Sequence, residues 1–154
     1  MAEGNGKEVK KVVLASGAFD LVHYGHVRFL EEAKRAGGRN AYLVVVIARD
    51  STIETLKGKK PVIPEDQRRA VVEYLKSVDE AILGYEEISL AATIRKIKPN
   101  IITVGYDQKD IEEDVKKIID AEGMDIRIIR IGRFGPADLD SSSKIKRKIM
   151  NGFH

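Results

Sequence analysis

The stretch "KVVLASGAFDLVHYGHVRFLEEA", Lys11 to Ala33, decides how the chain is read. It opens as a β-branched apolar run, breaks at Gly17, and resumes with Val27, Leu30 and Ala33 about one helical turn apart. That is a strand handed to a helix through a short polar turn. Gly17 lets the backbone turn with its N–H groups outward, and the helix start adds free donors and a positive dipole end, which together make an anion site. Two of the chain's three histidines, His23 and His26, lie three residues apart at that start and share one face. Gly25 between them removes a side chain where a phosphate or a base must come close. A metal reading is poorer, because two imidazoles need a third ligand and only His154 remains. The plain alternative is a pair of capping or packing histidines, and the strand, turn and helix around them weigh against it.

Outward from this stretch, apolar runs recur at 41–48, 100–105 and 126–132, with a weaker one at 80–84. Continuous runs of this kind suit strands buried on both faces. Helical spacing fills the gaps in "PEDQRRAVVEYLKS" (64–77), "SLAATIRKI" (89–97) and "KDIEEDVKKIIDAEG" (109–123), and a last helix closes the chain in "SSSKIKRKIMNGF". The alternation predicts an α/β fold: a Rossmann-like, doubly wound, five-stranded parallel sheet with a C-terminal helix. The chain divides into a polar N-terminal tail, residues 1–9, and a single domain, residues 10–154. The longest irregular piece, "KGKKPVIP" (57–64), is a candidate mobile loop over a site. In such sheets ligands bind beyond the carboxyl ends of the strands, where the strand order reverses. A central first strand would therefore bring "SGAFDLVHYGH" beside the "GYDQ" that follows the fourth.

Composition narrows the functions available. With 154 residues, 43% hydrophobic and 33% charged, the chain fits one soluble core, and no apolar run approaches the roughly 20 residues that cross a bilayer. The start "MAEGNGKEVKK" lacks the apolar core of a signal peptide, so a cytoplasmic location is expected. Zero cysteines exclude disulfides, thiolate catalysis and Cys-ligated zinc. A net charge of +3 is too mild an excess to argue for nucleic acid. The clusters "LKGKK" and "KIKRK" suit a small polyanion instead.

"GAFDLVHYGH" resembles the G-T-F-D-x-x-H-x-G-H signature of the cytidylyltransferase-like nucleotidyltransferases, with Ala18 where threonine is usual. The resemblance runs along almost the whole chain. "RDSTIETLKGKKPVIPEDQRR" is similar to the family segment whose lysines approach nucleotide phosphates and whose following helix supplies an arginine, which maps onto Lys57, Lys59 and Arg68. "VGYDQ" resembles the G-x-D segment, giving Gly105 and Asp107. "DSSSKIKRKI" resembles the closing motif that holds the β- and γ-phosphates, giving Ser141, Ser142, Ser143 and Lys144. Within the family the wording is most similar to the archaeal FAD synthases, which transfer AMP from ATP to FMN. Glycerol-3-phosphate cytidylyltransferases are the rival, and a non-catalytic nucleotide or RNA binder of the same fold is the third reading.

The resemblance implies in-line attack by the acceptor phosphate on the α-phosphorus, with pyrophosphate leaving and no protein nucleophile. His23, His26, Lys57 and Lys59 would be the catalytic groups. Gly17, Ala18, Phe19, Asp20, Arg68, Gly105, Asp107, Ser141, Ser142, Ser143 and Lys144 would complete the nucleotide site. Mg²⁺ or another divalent cation would arrive with the nucleotide, its ligands on the protein unassigned, while Asp20 either contacts it or orients a histidine. The lysines taken alone read as a solvated loop, Arg68 could pair with Glu65 or Asp66, and Arg69 reads as structural. Asp107 could cap the next helix, Ser141 reads as an N-cap, and Phe134 and Tyr106 are loop anchors or stacking rings. A homodimer through sheet-edge helices is left open, since no residue pattern identifies an interface.

Overall fold

The computed structural model describes residues 9–85, 89–136 and 139–152. Apart from Val9, the expected tail lies outside the described residues, as does His154. Five strands form one sheet: β1 (Lys11–Gly17), β2 (Ala41–Ile47), β3 (Glu80–Leu83), β4 (Ile101–Gly105) and β5 (Arg127–Ile131). All pairings are parallel and the order is β3-β2-β1-β4-β5. The order reverses between β1 and β4, as the sequence pattern requires. Lys11 stands opposite Ala41 and Gly17 opposite Ile47, so β1 and β2 end flush beneath the turn that follows Gly17.

Successive side chains of each strand feed opposite faces. Val13, Ala15, Leu43, Val45 and Ile47 pack against Leu30 and Ala33 of α1 (Tyr24–Ala36) and Val72 of α3 (Glu65–Glu73). Leu14, Val44, Ile102 and Val104 pack against Ile94 of α4 (Leu90–Ile97) and Val115 of α5 (Lys109–Glu122). Full burial of a leucine such as Leu30 contributes about 1.5–3 kcal/mol. An exposed pair such as Arg35 with Glu32 contributes at most about 1 kcal/mol. Apolar contact, rather than surface charge, therefore sets α1 over the end of β1.

The structure adds one helix that the sequence pattern does not signal, α2 (Asp50–Lys57). Only Ile53 of it is buried, so it has no apolar stripe to read. Gly58 ends it in the left-handed region at φ 75°, where glycine is unstrained. The irregular piece consequently starts at Gly58 instead of Lys57. The last helix, α6 (Ser142–Gly152), buries no residue fully, and Ile149 and Met150 are exposed.

Candidate active site

The turn after β1 is built around Phe19. Its backbone sits at φ 52°, a left-handed conformation that costs a bulky residue of order 1–3 kcal/mol. Burial of the ring holds it there: Phe19 is 4% exposed and packs 5.0 Å from the His26 ring. Gly17 is needed below it, because a Cβ there would stand 2.8 Å from the Phe19 ring. The demand for glycine at position 17 thus comes from a side chain folded back on it.

His23 caps α1 with extended backbone, and His26 lies in the first turn. Their rings stack with centroids 3.8 Å apart. The backbone N–H of His23 donates to Nδ1 of His26 at 3.3 Å, so the neutral His26 ring carries its proton on Nε2. Both His23 ring nitrogens are buried and without a hydrogen-bond partner among the described residues. Burial, then the neighbouring His23, pushes the His26 pKa down to about 3. Burial lowers His23 as well, against the opposing field of Asp140. Both rings are therefore neutral at pH 7, and each can donate one N–H to an anion. Gly25 is sterically required, because a Cβ would lie 2.9 Å from the His23 ring and 3.1 Å from the Phe134 carbonyl oxygen. The close neighbour at Gly25 is thus the chain itself.

The second wall comes from 58–64 and α3. Asp20 is buried and accepts from the backbone N–H groups of Val62 (2.9 Å) and Ile63 (2.8 Å), and from Lys146 (2.5 Å). Burial favours its neutral form, but Lys146 and the two N–H groups outweigh that and hold its carboxyl below the usual range. It orients neither histidine directly. Arg68 is buried too, and its guanidinium bonds to the carbonyls of Ile63, Ala18 and Ala48 and to the carboxylate of Asp50. That placement departs from the expectation of a phosphate-gripping arginine, and its partner is Asp50 instead of Glu65 or Asp66. Arg69 pairs with Glu73 at 2.8 Å, in keeping with a structural role. Lys57, Lys59 and Lys60 are exposed and form no ion pair among the described residues.

The third wall is the end of β4. Gln108 accepts from Gly105 N–H (2.8 Å) and donates to the Ser16 carbonyl (3.0 Å), tying the ends of β4 and β1 together. Gln108, and not Asp107, is the N-cap residue of α5, which leaves the Asp107 side chain exposed beside Gly105. Above it, α6 aims its first turn at the same place. Ser141 accepts from the Lys144 N–H at 3.2 Å, as an N-cap should. Ser142 both accepts from and donates to the backbone of Leu21 at 3.1 Å, which fixes the two helix starts together. Ser143 is exposed.

Two residues that the sequence reading leaves out complete this wall. The buried carboxylate of Asp140 takes Lys144 at 2.6 Å and Arg133 at 3.1 Å, and accepts from Tyr106. Arg133 also lies over the Tyr106 ring, and Arg28 over that of Phe134. Each aromatic ring thus has a guanidinium on one face. A cation just past a strand end and an acid just before a serine run were the available signals. Among the described residues no three His, Asp or Glu side chains stand together as a metal cage.

The turn, two helix starts and paired imidazoles at the switch point define a nucleotide-binding protein of the doubly wound α/β class. Comparison with known proteins sharpens this. A match to the cytidylyltransferase-like family covers residues 14–148, and the chain belongs to that family. The FAD synthase of Methanothermobacter marburgensis is 45% identical over 139 residues, covering 90% of this chain and 85% of that protein. The FAD synthase of Ferroglobus placidus is 47% identical over 140 residues, covering 91% and 88%. Among solved structures, a lipopolysaccharide core biosynthesis protein from Thermoplasma volcanium superposes with a TM-score of 0.73 at 42% identity, covering 81% of this chain and 98% of that one. Among the described residues no helix is long and apolar enough to cross a membrane.

Proposed function

We infer that the protein is an FMN adenylyltransferase, transferring AMP from ATP to FMN to give FAD and pyrophosphate. The observation that carries the reaction class is the His23–His26 pair at the meeting of two helix N-termini, with two buried imidazole nitrogens awaiting a partner. The base and the acceptor follow from relatives named FAD synthase that align with about nine-tenths of the chain.

In this reading the phosphate oxygen of FMN attacks the α-phosphorus of ATP, and the bond to the bridging oxygen breaks opposite it, releasing pyrophosphate. Catalysis is positioning and charge stabilisation. His26 donates from Nε2 and His23 from one ring nitrogen to oxygens that gain charge in the transition state. Ser141, Ser142, Ser143, Lys144 and the start of α6 receive the leaving pyrophosphate, with Gly17, Ala18 and Phe19 lining the approach. Lys57 and Lys59 supply the positive charge that the neutral histidines lack, and Gly105 and Asp107 border the nucleoside. A divalent cation carried by the triphosphate would neutralise part of its charge. Arg68 and Asp20 take part through the backbone they hold. Both substrates are phosphorylated and do not cross a bilayer unaided, which supports a cytoplasmic location.

The test is to incubate the purified protein and Mg²⁺ with each pairing of ATP or CTP with FMN or glycerol 3-phosphate, and to measure pyrophosphate and FAD. Turnover with ATP and FMN is expected. Release only with CTP and glycerol 3-phosphate would overturn the flavin assignment.

A further inference from the structure

The side chain of Arg68 is wholly inaccessible to solvent, yet its carboxylate partner, Asp50, is 38% exposed. Burying a guanidinium is a poor way to gain stability, since an apolar side chain of the same volume often does as well. What the guanidinium can do, and an apolar group cannot, is hold several chain segments in fixed relation. Its Nε donates to the Ile63 carbonyl (2.8 Å), Nη1 to the carbonyls of Ala18 and Ala48 (2.8 Å each), and Nη2 to Asp50 Oδ1 (2.6 Å). The segment that carries Lys57 and Lys59 therefore begins on Arg68, at Asp50, and ends on Arg68, at Ile63. Asp20 grips the same foot from the other side through the N–H groups of Val62 and Ile63. Between the feet, residues 58–60 are exposed and Gly58 turns at φ 75°.

We propose that Arg68 and Asp20 are positioning residues for nucleotidyl transfer: they strap both ends of the lysine-bearing segment to the turn that follows β1, and so set where Lys57 and Lys59 can reach. The proposal rests on the reading of those lysines as phosphate-binding groups. Neither strap residue needs to touch substrate. A displacement of about 1 Å in a charged group can cost on the order of 100-fold in rate, so a strap of this kind has kinetic leverage. Through Lys146, Asp20 also joins the segment to α6, on which the serines stand.

The test is a double-mutant cycle between Arg68→Gln and Lys59→Ala, repeated with Lys57→Ala, read as kcat/KM for the ATP and FMN pair. Tryptic cleavage after Lys57 and Lys59 provides a second readout that needs no activity. Arg68→Gln should lower kcat/KM and should remove most of the further loss caused by Lys59→Ala or Lys57→Ala. It should also speed cleavage within 57–60 by about tenfold or more, with cleavage elsewhere unchanged. Asp20→Asn, which keeps the side-chain shape, should do the same and stands in if Arg68→Gln does not fold. Losses that multiply independently would overturn the strap, even with faster cleavage, and so would an unchanged cleavage rate. If both lysine variants keep full activity while the wild type makes FAD, the reading of the lysines fails, and the strap as a catalytic device fails with it. A wild type that makes no FAD refutes the assigned reaction instead.

Discussion

His26 is a base that the fold keeps neutral. Its ordinary pKa of 6.5 falls to about 3 because burial, and then His23, disfavour the imidazolium. Between those values the unfolded chain binds a proton that the native ring refuses, so native stability falls as pH drops from 6.5 toward 3. The slope from this one group is at most about 1.4 kcal/mol per pH unit. Denaturant midpoints measured across that window should decline for the wild type and decline less for His26→Gln. His23→Ala should lower kcat on the order of 100-fold or more, as loss of a transition-state donor does, with ATP affinity by calorimetry within a few-fold. Loss of ATP binding itself would refute that role. Gly25→Ala brings a methyl group against the Phe134 carbonyl and the His23 ring, so it should abolish turnover and lower the melting temperature, whereas Gly38→Ala, with nothing within 4 Å of the added group, should spare activity and lose only the roughly 1–2 kcal/mol of stability that its φ of 76° costs an alanine.

At the scale of elements, α6 separates two kinds of serine. Ser142 is bonded twice to Leu21, so Ser142→Ala should cost roughly 1–2 kcal/mol of stability in addition to raising KM for ATP. Ser143 is exposed, so Ser143→Ala should raise KM for ATP with an unchanged melting temperature. Equal effects of the two on melting would contradict the arrangement. The same helix shows what a sequence discloses. Ser141 could be read as a cap because capping is local, and the Lys144 N–H meets it as expected. The strand runs were equally plain, since burial on two faces restricts residue type, whereas Gly17 was legible as a needed glycine but not for its reason, the Phe19 ring folded back on it. The partners of Arg68 were not legible, because Ala18, Ala48 and Asp50 are brought to it only by the tertiary fold. Asp140 was illegible for a related reason: its partner Tyr106 approaches from the loop after β4, and Arg133 meets it only because the connection between β5 and α6 folds back on itself. The helix α2 left no trace because one buried isoleucine makes no periodic pattern.

For the whole molecule, ligand and fold should be thermodynamically linked. ATP with Mg²⁺ at about 100 times its Kd should stabilise the native state by about 2.7 kcal/mol, a rise of roughly 5–10 °C in melting temperature for a chain of this size. The rise should be much smaller for Lys144→Ala, and an undiminished rise there would remove α6 from the phosphate site. The order in which the chain is made adds a constraint. Gln108 reaches back to Ser16 across 92 residues, and Ser142 reaches back to Leu21 across 121. Such closures come late in folding, since distant partners must first meet. During synthesis, β1, β2 and β3 can pair while the turn after β1 still lacks the start of α6 above it. The start of α6 can therefore be tied to the turn only after every strand of the sheet has been made, so a chain that stops before Ser141 would hold a sheet and a histidine pair with no serine to meet Leu21.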